Sequence, residues 1–258
     1  MSKSTTLGAI FFSLVLQTFS QDFITSQLQE TGPDANVLYR KEAEGSVVIH
    51  SQGFGINYRR GTHVNGVSRR FMEFELVSMK DPKETKTYNS TYPNSKGFYY
   101  GKLNSVMVLR AGVGYQRALF GKAERERKSV EIRYSAYVGP SLSFAKPIYL
   151  EIIHSSSSNP DEFELTTEKY DPSIHNLSNI YSKASYLTGF SQTKIYPGAY
   201  AKFGLSVEYS DRHNSVRAIE TGIIFDAYPK AVPIMATEKN NPYFLTLYID
   251  LVFGKKWY

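Results

Sequence analysis

The feature that most constrains this chain is a two-residue alternation of apolar and polar side chains, sustained in seven separate stretches. A period of two is the signature of a strand with unlike faces, and each stretch reaches the ~9–11 residues that a tilted membrane-crossing strand needs. Within residues 69–80, Arg70, Met72, Phe74 and Leu76 share one face, and Phe71, Glu73, Glu75 and Val77 the other. Across residues 104–120, Met107, Leu109, Ala111, Val113 and Tyr115 oppose Arg110, Gly112, Gly114 and Gln116. Residues 130–145 set Val130, Ile132, Tyr134, Ala136 and Val138 against Glu131, Arg133, Ser135, Tyr137 and Gly139. The pattern recurs over residues 201–209 and 219–226, and finally over 243–254, which runs on to Trp257 and Tyr258.

Near the start of the chain the alternation changes phase. Val47 and Ile49 are apolar at odd positions, whereas Phe54, Ile56 and Tyr58 are apolar at even ones. A one-residue slip exchanges the faces of a strand, so a bulge or a hairpin must lie between them. A hairpin makes residues 37–49 the first strand and raises the count to eight. With eight strands both termini fall on one side. The short connections at residues 61–66, 122–128 and 211–214 then lie on that side, and the longer ones at 81–103, 154–197 and 230–241 on the other, as in bacterial single-chain barrels. The fold class is therefore expected to be all-β: a transmembrane antiparallel up-and-down barrel of eight strands, with a long extracellular loop segment. Residues 154–197 are long for a structureless loop and point to a folded excursion with short strands of its own.

Residues 1–20 read as a secretory signal, with Lys3, an apolar run over residues 9–16, and small Ser20 before Gln21. That run is shorter than the ~20 residues of a spanning helix, and no later segment reaches this length. Two domains are expected, a signal peptide over 1–20 and a barrel over 21–258. The absence of cysteine excludes a disulfide-stapled fold and a thiolate metal site. A net charge of +6 is modest, and the basic residues are scattered or near turns, so no nucleic-acid partner is expected.

Alternation alone does not separate a membrane barrel from a soluble one, which reverses the two faces. The polar face decides, because charge and glycine share it in strand after strand: Arg59, Glu73, Glu75, Arg110, Glu131, Arg133, Lys202, Glu208, Glu220, Asp226 and Asp250. An eight-stranded barrel is just wide enough inside to be filled by side chains. These residues are accordingly expected to form a structural charge network in the lumen. Phe253, Trp257 and Tyr258 form an aromatic C-terminal end, read as the signal that barrel assembly machinery uses during insertion.

Residues 106–110 with Gly112, the segments 119–123 and 144–151, Lys169-Tyr170-Asp171-Pro172, residues 196–200 and the close over 245–257 resemble a group of uncharacterised outer-membrane β-barrel proteins from Bacteroidota. The resemblance spans most of the chain after the signal. It implies an exported barrel in the outer membrane of a Gram-negative cell, surrounded by outer-membrane lipid, and it carries no catalytic or ligand-binding residues to transfer.

No catalytic constellation emerges from the residues themselves. The sequence holds no G-x-S-x-G and no HExxH. His50, His63 and His213 fall in or beside turns, and His154 and His175 in the long outer segment. His154 with Ser155, Ser156, Ser157 and Ser158 is the one tempting cluster, and a serine-rich loop explains it more simply. The expectation is a non-catalytic barrel with no cofactor, no metal and no catalytic residue. It would act as a structural or accessory component binding another envelope protein, for example in assembly or secretion machinery. A narrow channel or small-ligand binder and a lipid-modifying enzyme are the alternatives.

Overall fold

The computed structural model describes residues 41–89, 92, 95–120, 130–155, 163–209, 214–236 and 240–258. Residues 1–20, read as a signal peptide, residues 37–40, the connection at 122–128, Ser156, Ser157, Ser158 and His213 lie outside the described residues. In chain order the strands are β1 (Lys41–His50), β2 (Gly53–His63), β3 (Ser68–Met79), β4 (Lys86–Thr87), β5 (Phe98–Tyr99), β6 (Asn104–Phe120) and β7 (Glu131–Pro147). They continue with β8 (Tyr149–Ser155), β9 (Phe163–Lys169), β10 (Ile180–Lys183), β11 (Lys194–Glu208), β12 (Ser215–Ala227) and β13 (Tyr243–Trp257).

Eight of these close into a barrel in the order β1-β13-β12-β11-β7-β6-β3-β2, every neighbour antiparallel. Closure runs from Lys41↔Trp257 to His50↔Tyr248, so the first and last strands pair over the full length of β1. A closed sheet leaves no edge and satisfies every strand's backbone within the wall, the only way for strands to cross hydrocarbon. Among the described residues no helix is long and apolar enough to cross a membrane.

The outer wall is apolar over most of its height, with the exposed Arg60, Arg70, Arg117 and Arg217 set toward the end that carries the termini. Leu247 is 65% exposed, Ile56 62% and Val113 61%, and Phe74, Val138, Phe203, Ile223, Leu245 and Ile249 are exposed with them. Soluble monomers rarely show contiguous apolar patches beyond a few hundred Å². A whole wall of this kind is therefore a surface whose solvent is lipid. The inward positions alternate with it residue by residue, as in β13, where Thr246, Tyr248, Asp250 and Val252 are buried.

The phase change in the first strands is a hairpin: Ser51 and Gln52 form a tight turn, with Ile49 facing Phe54 across it. This turn is the exception to the expected asymmetry, a short connection at the end where long loops gather. The opposite turn after β2 spans residues 64–67, because β2 runs three residues into the expected connection. β11 begins at Lys194, seven residues before the expected start, and pairs with β7 from Lys194↔Ala145 to Glu208↔Glu131. The excursion between them is thus residues 148–193 in place of 154–197. It carries its own three-stranded sheet, β10-β8-β9.

At this long-loop end Phe98, Leu150, Ile152, Tyr170 and Ile180 form a small apolar core, with Leu103 and Ile148 against it. The segment after β12 turns inward. Val232, Ile234 and Met235 are buried with Val48, Val77, Met79, Val106, Val108, Ile224 and Phe244 in the larger core. Leu103 donates its N–H to the Ile234 carbonyl at 2.8 Å and Lys102 bridges Met235, which ties this segment to the β5–β6 connection.

Candidate functional site

The lumen is the most elaborate part of the molecule. Alternation along each wall strand turns a residue inward at every second position, and at mid-height the charged and polar ones meet across the axis. Arg59 of β2 donates from Nε to Glu73 at 2.7 Å, from both terminal nitrogens to Glu220 at 2.9 Å, and to Asp250 at 3.2 Å. Arg110 of β6 forks onto Asp226 at 2.9 and 2.7 Å and pairs with Glu75. Lys202 of β11 donates to Glu75 at 2.6 Å and to Asp250 at 3.2 Å, 3.7 Å from Glu73. Side chains of this kind are stable in a low-dielectric interior only when each charge meets its complement with hydrogen bonds. Paired, forked guanidinium–carboxylate geometry supplies that.

Neutral donors serve the carboxylates further. Tyr200 donates to Glu73 at 3.1 Å, Tyr248 to Glu220 at 2.8 Å, and Asn57 to Glu73 and Glu75 at 2.9 and 3.2 Å. Arg59 stacks over the Tyr137 ring, 4.6 Å from its centroid, and Lys202 lies 4.3 Å from that of Tyr248. Two glycines make room for the rings. A Cβ on Gly112 would lie 2.4 Å from the Tyr200 hydroxyl, and one on Gly204 would lie 2.1 Å from that of Tyr248.

A second layer lies toward the end with the termini. Arg133 pairs with Glu131 and, at 2.5 Å, with Glu208. Lys256 donates to Glu208 at 3.1 Å, Arg69 to Glu42 at 2.8 Å, and His63 lies 3.1 Å from Glu42. The structure thus gathers Arg59, Glu73, Glu75, Arg110, Lys202, Glu220, Asp226 and Asp250 at mid-height and Glu131, Arg133 and Glu208 below them. Sequence reasoning missed Glu42, Arg69, Lys256, Asn57, Tyr137, Tyr200 and Tyr248 as members. Their positions carry the same inward parity as their neighbours, which was the available signal. Phe253 looks outward from β13, and Trp257 pairs with Lys41 at the strand's end, followed by exposed Tyr258.

The described histidines His50, His63, His154 and His175 are engaged in local structure. His50 Nδ1 accepts from the Gln52 N–H at 3.3 Å. On the outer sheet, Glu168 lies between His154 at 2.6 Å and His175 at 3.2 Å, and Thr166 donates to it at 2.6 Å. Hydrogen bonds from Thr166 and then His154 hold the Glu168 carboxyl at about 2, below its ordinary 4.5. Asp171 is lowered by the side-chain hydrogen bond from Ser173. Among the described residues no group of three or more His, Cys, Asp or Glu is placed to hold a metal ion.

No family model and no curated protein matches the sequence. Solved structures similar to this one include Neisserial surface protein A, at 9% identity and a TM-score of 0.39, covering 84% of this chain and 96% of that one. Ail, the attachment invasion locus protein of Yersinia pestis, aligns at 8% identity and 0.39, covering 84% and 97%. A major outer membrane protein from Thermus thermophilus aligns at 10% identity and 0.42, covering 83% and 98%. At these levels of similarity the fold of this chain rests on its own strand register and burial.

Proposed function

We propose that this chain is a non-catalytic, non-conducting protein of a Gram-negative outer membrane, a structural or accessory component that binds another envelope protein through its long-loop end. The observation that carries the reading is the sealed lumen. Charge pairs fill the mid-height and lower layers, and apolar Val232, Ile234 and Met235 fold into the upper one. A barrel closed in this way offers its exterior to partners and no path through its axis. The closed eight-stranded wall with its apolar exterior supports the envelope location, as does the signal read in residues 1–20, with export and cleavage before Gln21. Phe253, Trp257 and Tyr258 would serve insertion by barrel assembly machinery, and the long loops would then face outward.

The long-loop end supports partner binding because it is folded and yet leaves apolar side chains uncovered. Phe163 and Leu165 on β9 and Ile174 and Leu177 beyond it are exposed. Edge and loop apolar groups of this kind are anchors for a protein surface. The test is affinity purification of the full chain from native membranes after cross-linking. A stoichiometric envelope protein that is lost with Leu165→Glu supports the reading. Recovery of the chain alone, with the wild type and the variant behaving identically, contradicts it.

A further inference from the structure

We infer that the turn over residues 186–190 is a lipid anchor, which places Leu187 and Phe190 in the boundary of the leaflet at the long-loop end. Three observations converge on it. The first is position. By the alternation of β7, Lys146 follows Leu142 and Phe144 on the outward face, and its ammonium donates to the Tyr186 carbonyl at 2.8 Å and the Thr188 carbonyl at 3.5 Å. The ammonium also sits 4.6 Å from the centroid of the Tyr186 ring. The turn is therefore held against the outside of the wall, and a Cβ on Gly189 would lie only 2.4 Å from the Tyr149 ring.

The second observation is what the turn presents. Leu187 is 75% exposed and Phe190 67%, with Tyr186 beside them. They stand beside the lipid-facing wall: residues 190–192 lie next to β7, and Ile195 at the start of β11 is exposed and pairs with Phe144. The third is how the turn treats its backbone. Thr188 N–H donates to Ser185, Phe190 to Leu187, Gln192 to Gly189 and Thr193 to Phe190, at 3.1–3.3 Å, while Lys146 takes two of the remaining carbonyls. Backbone groups satisfied from within are the condition for entering a layer poor in water. Apolar side chains at the headgroup boundary, with a cation reaching back from the wall, are the chemistry of an interfacial anchor. The occupant is lipid acyl chain, because the patch is held against β7 at the margin of the lipid-facing belt.

The chain contains no cysteine, so single sites can be labelled without altering the rest. The experiment attaches a nitroxide to Leu187→Cys or Phe190→Cys in the full chain, reconstituted in phosphatidylethanolamine–phosphatidylglycerol vesicles. Its collision rates with oxygen and with a water-soluble nickel chelate are then compared. Leu142→Cys serves as the lipid reference and Glu164→Cys on β9 as the aqueous one. The oxygen-to-nickel ratio at 187 and 190 is expected to lie close to that at 142 and several-fold above that at 164. Lys146→Met is expected to shift the ratio at 187 toward the aqueous value. Ratios at 187 and 190 equal to that at 164, with 142 still lipid-like, overturn the anchor while leaving the barrel intact. A label at 187 that is indifferent to Lys146→Met overturns the part assigned to that lysine.

Discussion

Arg110 shows what the lumen demands of a single residue. Its guanidinium holds Glu75 and Asp226 at once, and all three are fully buried. Removing one partner of such a set strands the others without water, and breaking a buried pair costs about 3–5 kcal/mol. Arg110→Met is accordingly expected to lower the unfolding free energy in urea titrations by this amount, and a loss below about 1 kcal/mol would show that the network contributes little. Outside the barrel wall, Glu168 makes a prediction with a definite sign. Its carboxyl is held at about 2 against an ordinary 4.5, so its contribution to the folded outer sheet is complete above about 4.5 and is lost as the pH falls toward 2. An NMR titration of its side-chain carboxyl carbon should show a midpoint near 2, and the acid sensitivity between 4.5 and 2 should flatten in Glu168→Gln. A midpoint at 4.5 would mean that the Thr166 and His154 contacts are not made in solution.

At the scale of elements, glycine and tyrosine positions on different strands are matched. Tyr248 of β13 reaches over Gly204 of β11 to Glu220, so Gly204→Ala should push the ring off its hydrogen bond. Overpacking of this kind costs typically about 1–3 kcal/mol, readable as a lower urea midpoint, and an unchanged midpoint would place the ring elsewhere. The outer sheet is built differently from the wall. β7 and β11 pair without interruption up to Ala145↔Lys194, so residues 149–192 should be replaceable by a short turn. The shortened chain is expected to remain a heat-modifiable barrel on gels while losing any partner held by the outer sheet. The wall strands were legible in the sequence because lipid on one side and charge on the other enforce a period of two over ten or more residues. That the excursion holds short strands was legible too, but the places of β8, β9 and β10 were not, since they are short and owe their position to Phe98 arriving from another connection. The start of β11 was hidden by Pro197 and Gly198, although Tyr196 and Tyr200 already carry the strand's alternation.

For the whole molecule, strand number and interior chemistry depend on each other. Eight strands leave room only for side chains, and the sequence puts charges of both signs at the inward positions. The inward parity of Arg59, Glu73, Glu75 and Arg110 could be read directly from the chain. Which carboxylate each cation meets could not, because Arg59 and Glu220 are brought together by closure and stagger of the sheet, 161 residues apart. The apolar seal at residues 232–235 was equally hidden, since it belongs to a connection with no periodicity. The most direct test of the account is single-channel recording of the purified barrel in planar bilayers. A lumen filled by paired charges and closed by Val232, Ile234 and Met235 predicts a silent membrane at every voltage, with insertion confirmed independently. Reproducible discrete conductance steps would contradict it.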